Sequence, residues 1–286
     1  MLKIPRSVLC CYVLAFALVS CGSASQQTNS TNTNMPGSEQ KQDYYKNLPR
    51  GFALPTNDAE SLLLREYGSV YVARGGATPP NRIVFRDEAD VAAFQAGLQR
   101  SSENIGGTDV DLQAAAMNAL LEARAEAQKS RLSISPRGAD SARRGYKQTV
   151  DLWASRVNPG FTYWVGRGRV SQGEARRIKS LTPFEQVPEI LRLEQDSIFF
   201  AKSLDKSIIY SVAPPGTSQH LSMLALDVKE FDNARVRVIL AKHGWYQTVS
   251  SDLPHFTYLG VEESQLPKLG LKQVTNSGRV FWVPDI

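Results

Sequence analysis

The chain has 286 residues, of which 42% are hydrophobic and 21% charged, and a formal net charge of +5. These figures describe an ordinary globular chain, long enough to bury a real core. They exclude a strongly basic nucleic-acid binder, and they fit a partner with some negative charge and no more.

In chain order, "MLKIPR" is a short positive region, and "SVLCCYVLAFALVS" is an apolar run of signal-peptide length, too short for a comfortable membrane span. The run ends in "LVSC" with Gly22 next, which resembles the bacterial lipobox. That resemblance implies a signal peptide over residues 1–20, cleavage before Cys21, and membrane attachment through an acylated Cys21 thiol. The protein would then sit in the bacterial cell envelope facing the periplasm or wall, on the outer membrane where there is one. The alternative is a plain secretory signal in which Cys21 is incidental. Cys10, Cys11 and Cys21 are the only cysteines, so the mature fold would have neither a disulfide nor a thiolate metal ligand. Residues 21–50 are rich in Ser, Thr, Asn and Gln and read as a flexible tether.

Residues 51–104 read as a small accessory segment, with strand character in "GSVYVARGG" and "RIVFRD" and a helix in "EADVAAFQAGLQ". Nothing in that segment signals chemistry. Residues 105–286 form the expected catalytic domain. "TDVDLQAAAMNALLEARAEAQKS" predicts a helix starting at a capping Thr or Asp; "RLSIS" predicts a short strand, and "GYKQTVDLWASRV" a second helix. Ser171 with Glu174, and Thr182 with Glu185, are spaced as capping boxes for two more helices. "SIIYSVA", "LALDV" and "HFTYL" read as strands, with the helix "FDNARVRVILAKHG" between the last two. Helices and short strands come in blocks, which predicts an α+β fold with a small antiparallel sheet.

The three histidines are His220, His243 and His255. His243 ends a predicted helix and reads as a partner for its dipole. His220 precedes Asp227 by seven residues, and Asp252 precedes His255 by three. A carboxylate in the apolar strand "LALDV" needs a cation, because burying it unpaired is costly. By strand alternation Asp227 shares a face with Ala225, and His255 one with Thr257. If the strands are neighbours, Asp227 and His255 reach the same side, and the turn "PPGTSQH" can bring His220 over them. Two imidazoles and a carboxylate are the ligand set of a catalytic zinc site, although the spacing alone leaves an accidental pairing open.

"SQHLSMLALD" resembles the S-x-H-x-x-G-x-A-x-D motif of the LAS zinc peptidases, which include the VanY-type D-alanyl-D-alanine carboxypeptidases. "DLPHFTYLG" resembles their second motif, E-x-x-H-F, and "DSARRGYKQ" keeps the arginine and downstream glutamine of their S-G-Y-R-S segment as Arg143 and Gln148. The resemblance covers residues from about 108 to 262 in order. It implies that His220, Asp227 and His255 bind Zn²⁺ and that Asp252 is the general base. It implies further that Arg143 binds a substrate carboxylate, with Gln148 and Ser218 assisting in the site. The implied substrates are peptidoglycan stem peptides, and the implied reaction is removal of their terminal D-Ala.

Two residues depart from the pattern. Met223 stands where the family has Gly, and Asp252 replaces the Glu of VanY-type enzymes. Aspartate occupies that place in related endolysins that cut L-alanyl–D-glutamate bonds, so an endopeptidase is one alternative. A wall-binding lipoprotein that has lost turnover is another. A penicillin-binding serine enzyme finds little support: "SLDK" fits S-x-x-K, but so does "SEQK" in the tether, and no K-T-G follows. Aromatic residues at 160–169, with Arg167 and Arg169, read either as cleft lining or as core. Residues 158–205 are expected to form one wall of the cleft.

Overall fold

The structure is a computed structural model, and it describes residues 43–286. Cys21, the signal segment and most of the tether lie outside the described residues. The described part is α+β, with helices around three small antiparallel sheets.

Helix α1, Asp58–Tyr67, starts where the Asn57 side chain accepts from Glu60 N, and it runs into a buried 3-10 turn, Gly68–Val72. That turn replaces the strand expected in "GSVYVARGG", and "RIVFRD" is likewise not a strand beyond an isolated bridge from Ala53 to Arg82. The apolar side chains Val70, Val72, Ile83 and Phe85 are buried, so β-branched content here marks core packing rather than a sheet. Helix α2, Glu88–Ala96, is capped by Asp87. Leu63, Leu64, Val70 and Val72 belong to the same buried cluster as Ile190, Leu240 and Trp245. Residues 51–104 thus pack into the core of the rest.

Strands β1, Arg100–Ile105, and β2, Thr108–Gln113, form a hairpin closed by Gly106 and Gly107, both at positive φ. The helix expected from Thr108 therefore begins later, as α3 over Ala114–Lys129. Val110 and Leu112 alternate inward, and a glycine pair before them supplies the tight turn a hairpin needs. Helix α4, Tyr146–Gly166, buries Thr149, Trp153, Val157 and Phe161 along one face. Helices α5, Gln172–Lys179, and α6, Gln186–Gln195, follow; Ser171 caps the first by accepting from Glu174 N. Thr182 bonds Glu185 through both backbone and hydroxyl, but the helix starts one residue beyond that pair.

"RLSIS" and "SIIYSVA" are not strands. The first is a loop that leads to a bridge between Pro136 and Val228, and the second contains a 3-10 turn, Ile208–Tyr210. The loop ahead of that turn is held by buried Glu194, whose Oε1 accepts from Phe200 N at 3.1 Å and Ile208 N at 2.7 Å, with Ser207 Oγ donating to Oε2. Burial pushes the Glu194 carboxyl up despite these donors. A raised acid pKa means that the folded state holds the proton more tightly. This contribution is fully present below the usual value of 4.5 and is lost as pH rises through the folded value. Glu194→Gln keeps the acceptor for both amides and removes the charge. It is expected to raise the melting temperature slightly at neutral pH, by about 1 kcal/mol or less in stability, with the gain disappearing in acid. Thermal melts across pH check this, and a large loss at neutral pH would contradict it.

The central sheet has the order β3-β5-β4, from Ala225–Asp227, His255–Tyr258 and Trp245–Tyr246. Helix α7, Ala234–Lys242, connects β3 to β4, capped by Asn233. In the antiparallel register Ala225 opposes Thr257 and Asp227 opposes His255. A C-terminal hairpin of β6, Leu271–Asn276, and β7, Arg279–Pro284, completes the chain.

Candidate metal centre

His220 sits on a buried 3-10 turn, Gln219–Ser222. The approach is fixed by Gly216, at φ +75° and packed so closely on Phe85 that a Cβ there would lie 1.9 Å from its carbonyl oxygen. The exit is fixed by Met223, at φ 59° in the left-handed region, with its side chain wholly buried. The glycine of the resembled motif would adopt this backbone at no steric cost, whereas methionine is strained there. Two glutamines outside the motif hold the turn: Gln95 Nε2 donates to Leu221 O at 3.0 Å, and Gln113 Nε2 to Ser222 O at 2.8 Å. Asp227 ends β3, where its N–H donates to Ser141 O at 2.8 Å and its carbonyl accepts from Arg137 N at 2.9 Å.

These elements bring His220, Asp227 and His255 together. Asp227 Oδ1 lies 3.3 Å from His220 Nε2 and 3.1 Å from His255 Nδ1. The rings meet edge to face with centroids 4.8 Å apart. Asp227 Oδ2 is taken by Arg144 Nη2 at 3.1 Å.

The outer ring nitrogens set the tautomers. His220 Nδ1 donates to Ala142 O at 2.7 Å. His255 Nε2 donates to Gln219 Oε1 at 2.9 Å. The orientation of that amide is set by Gln219 Nε2, which donates to Tyr67 O at 2.7 Å, and by Thr257 Oγ1, which donates to Gln219 Oε1. A neutral imidazole carries one N–H. With both used outward, His220 Nε2 and His255 Nδ1 turn lone pairs toward a carboxylate oxygen. His220 Nε2 is buried without a hydrogen-bond partner. Three electron-pair donors facing one another suit a cation among them. Protons are disfavoured at His220, whose pKa is pushed down by burial, against the opposing pull of Asp227. Burial would raise the Asp227 carboxyl, but His220 and His255 beside it together hold it well below the usual range.

A tetrahedral ion with bonds of about 2.0–2.1 Å sets its ligand atoms about 3.3–3.4 Å apart. The two distances to Asp227 match that spacing closely, and all three ligand atoms lie within 4.8 Å of one another. The group can therefore hold a metal ion. Donation of each outer N–H to a fixed acceptor is the arrangement that orients imidazoles around a metal.

The three side chains open onto a cavity of about 480 Å³. Ser218 and Asp252 line it, as does Tyr67. Asp252 is exposed, and its carboxylate makes no ion pair or side-chain hydrogen bond among the described residues. Arg143 and Gln148 do not line it. Arg143 Nε donates to Gln95 Oε1 at 2.7 Å and its Nη1 to Asp111 Oδ2 at 3.2 Å, while exposed Gln148 accepts from Gly145 N at 2.8 Å. The cavity residues are their neighbours, Arg144 and Thr149. The spacing of five is kept and the register moves by one, because the buried face of α4 passes through Tyr146, Thr149 and Trp153. The adjacent arginines of "ARRGY" made the two registers equivalent on paper.

No residue of 158–205 lines the cavity; that wall is made by Ile209–Ala213 and α4. Arg167 stacks on Tyr163 at 5.1 Å and Arg169 on Trp164 at 5.8 Å, with Arg169 Nη2 donating to Asp196 O at 2.8 Å. His243 pairs with Glu126 at 3.0 Å, joining α7 to α3.

The α+β fold and the His-Asp-His group define a protein with a buried candidate metal centre at the end of a small antiparallel sheet. Comparison with protein-family models, curated proteins and solved structures finds no match.

Besides Arg144, Thr149, Gln95 and Gln113, the sequence reading passes over Gln219 and Tyr67. Gln219 lies beside His220 but carries no ligand chemistry, so only its contacts reveal it. Gln219→Leu strips the acceptor from His255 and removes the amide bond that Gln219 makes to Tyr67 O. The expected result is a loss of about 10- to 100-fold in metal affinity and about 1–3 kcal/mol in stability. Competition titration with a metal indicator and a thermal melt measure the two. Unchanged affinity would remove Gln219 from the site.

Proposed function

We propose that the protein is a zinc-dependent peptidoglycan peptidase with a LAS/VanY-like core, acting as a D-alanyl-D-alanine carboxypeptidase on stem peptides. The observation that carries this reading is the convergence of His220 Nε2, His255 Nδ1 and Asp227 Oδ1 at one end of an arginine-lined cavity. The donor set, two imidazoles and a carboxylate without thiolate, suits a catalytic zinc with room for a further ligand.

Bound zinc would lower the pKa of a water toward about 7 and polarise a scissile carbonyl. Asp252 would accept the proton of the attacking water and return it to the leaving amine. Its exposure in the cavity, without a competing cation, leaves it available for both transfers. Arg144 holds Asp227 Oδ2, which leaves Oδ1 for the metal. Arg144 Nη1 makes no hydrogen bond among the described residues, and it would take the terminal carboxylate that marks the cleavage site of a carboxypeptidase. The lipobox resemblance at Cys21 adds a location, a lipid anchor that keeps the enzyme at the membrane beside the wall.

The test is incubation with defined muropeptides, with and without chelator, and identification of products by mass. Loss of one terminal alanine, abolished by chelator, is the expected outcome. A cut beside D-glutamate would replace the carboxypeptidase with the endopeptidase that Asp252 also fits. No product with zinc bound would leave a wall-binding protein.

A further inference from the structure

The cavity's charges balance in number, since Asp140, Asp227 and Asp252 line it beside three arginines, but they do not all pair. Arg137, Arg144 and Arg156 all line it. Arg144 is paired with Asp227. Arg156 projects from the face of α4 that also presents Thr149 and Leu152 to the cavity. Its guanidinium is fixed by two hydroxyls: Nε donates to Ser211 Oγ at 3.0 Å across the cavity wall, and Nη1 to Ser155 Oγ at 2.8 Å. Among the described residues no carboxylate pairs with it. A half-buried arginine held by neutral hydroxyls keeps its full charge for a ligand, and its planar fork suits a carboxylate.

We propose that Arg156 forms a second anion subsite, which reads a carboxylate on a substrate residue remote from the bond that is cut. Arg156 lies ten residues beyond the start of α4 at Tyr146, about 15 Å along the helix axis. Arg144 stands just before that start. Both side chains enter one cavity from these backbone positions, so their guanidiniums address groups on different residues of one bound peptide, up to about four or five extended residues apart. The substrate class is an acidic peptide, anchored by its terminal carboxylate near Arg144 and by a side carboxylate near Arg156. This deepens the peptidase reading and rests on it for the chemistry, though not for the binding.

The experiment uses the full chain, zinc-loaded, and two sets of peptides that differ only in a carboxylate or a carboxamide placed three to five residues from a free C-terminus. Dissociation constants come from calorimetry, metal content from elemental analysis, and hydrolysis from mass spectrometry run in parallel. The wild type should bind the carboxylate form about 10- to 100-fold more tightly than the carboxamide. Arg156→Gln should bind both forms alike at unchanged metal content, and Arg156→Lys should recover part of the preference. A wild type that does not distinguish the peptides, or an Arg156→Gln that still does, overturns the subsite. Discrimination without any product overturns the peptidase reading alone; product from both peptides with equal affinity overturns the subsite alone.

Discussion

Asp227→Asn is expected to abolish metal binding while leaving the metal-free fold nearly intact. The asparagine has the shape of the aspartate. It can turn its amide N–H toward the lone pairs of His220 and His255 and its oxygen toward Arg144, so each group that faces Asp227 keeps a partner. The metal-free protein should then change by no more than about 1–2 kcal/mol. Zinc behaves differently. At a concentration about 1,000 times its dissociation constant, a ligand specific for the folded state adds about 4 kcal/mol, which for a domain of this size is on the order of 10 °C in melting temperature. Wild type should show that rise and Asp227→Asn should not. The competing account treats Asp227 as counterion to Arg144 and two imidazolium rings. There, the substitution strands three buried cations and costs about 3–5 kcal/mol even without metal. Melting curves of the two proteins with and without zinc separate the accounts. A large loss in the metal-free variant, with no zinc effect on wild type, would leave the group an ion-pair cluster.

Asp252→Asn should do the opposite: zinc affinity unchanged, turnover nearly gone. Asp252 is exposed in the cavity and makes no ion pair there, so its replacement should move stability by less than about 0.5 kcal/mol. Loss of a general base lowers kcat by about 10²- to 10⁴-fold, with KM for the peptide little changed. Asp252→Glu restores the carboxylate with one more methylene and should recover part of the rate. Retention of wild-type kcat in Asp252→Asn would show that another group moves the proton, and Tyr67, on the same cavity wall, would be the first to examine. Two proteins that are equally inactive while binding zinc and peptide would favour the wall-binding reading.

Much of the candidate site was legible because its residues are chemically conspicuous and its strands are short. Asp227 in an apolar strand posed a question that only a cation answers, and the alternation of "LALDV" and "HFTYL" placed Asp227 opposite His255 once the strands were paired. The arginine that lines the cavity is Arg144, one residue beyond the Arg143 of the motif, since neighbouring guanidiniums differ only in which way the backbone carries them into α4. The segments that failed as strands, at 68–72 and 208–210, are apolar and β-branched yet too short and too enclosed to find a sheet partner. The β1–β2 hairpin was hidden by the alanine-rich helix behind it, although Gly106 and Gly107 marked its turn. Gln219, Gln95 and Gln113 support the ligands through amide contacts across 152, 126 and 109 residues of chain, and no local pattern carries such distances.

The most direct measurement is anomalous diffraction at the zinc edge from crystals of the protein grown with zinc. A single strong peak within bonding distance of His220 Nε2, His255 Nδ1 and Asp227 Oδ1, absent from Asp227→Asn crystals, is the predicted result. A map with no density among these three atoms, in crystals that take up zinc elsewhere, would contradict the account.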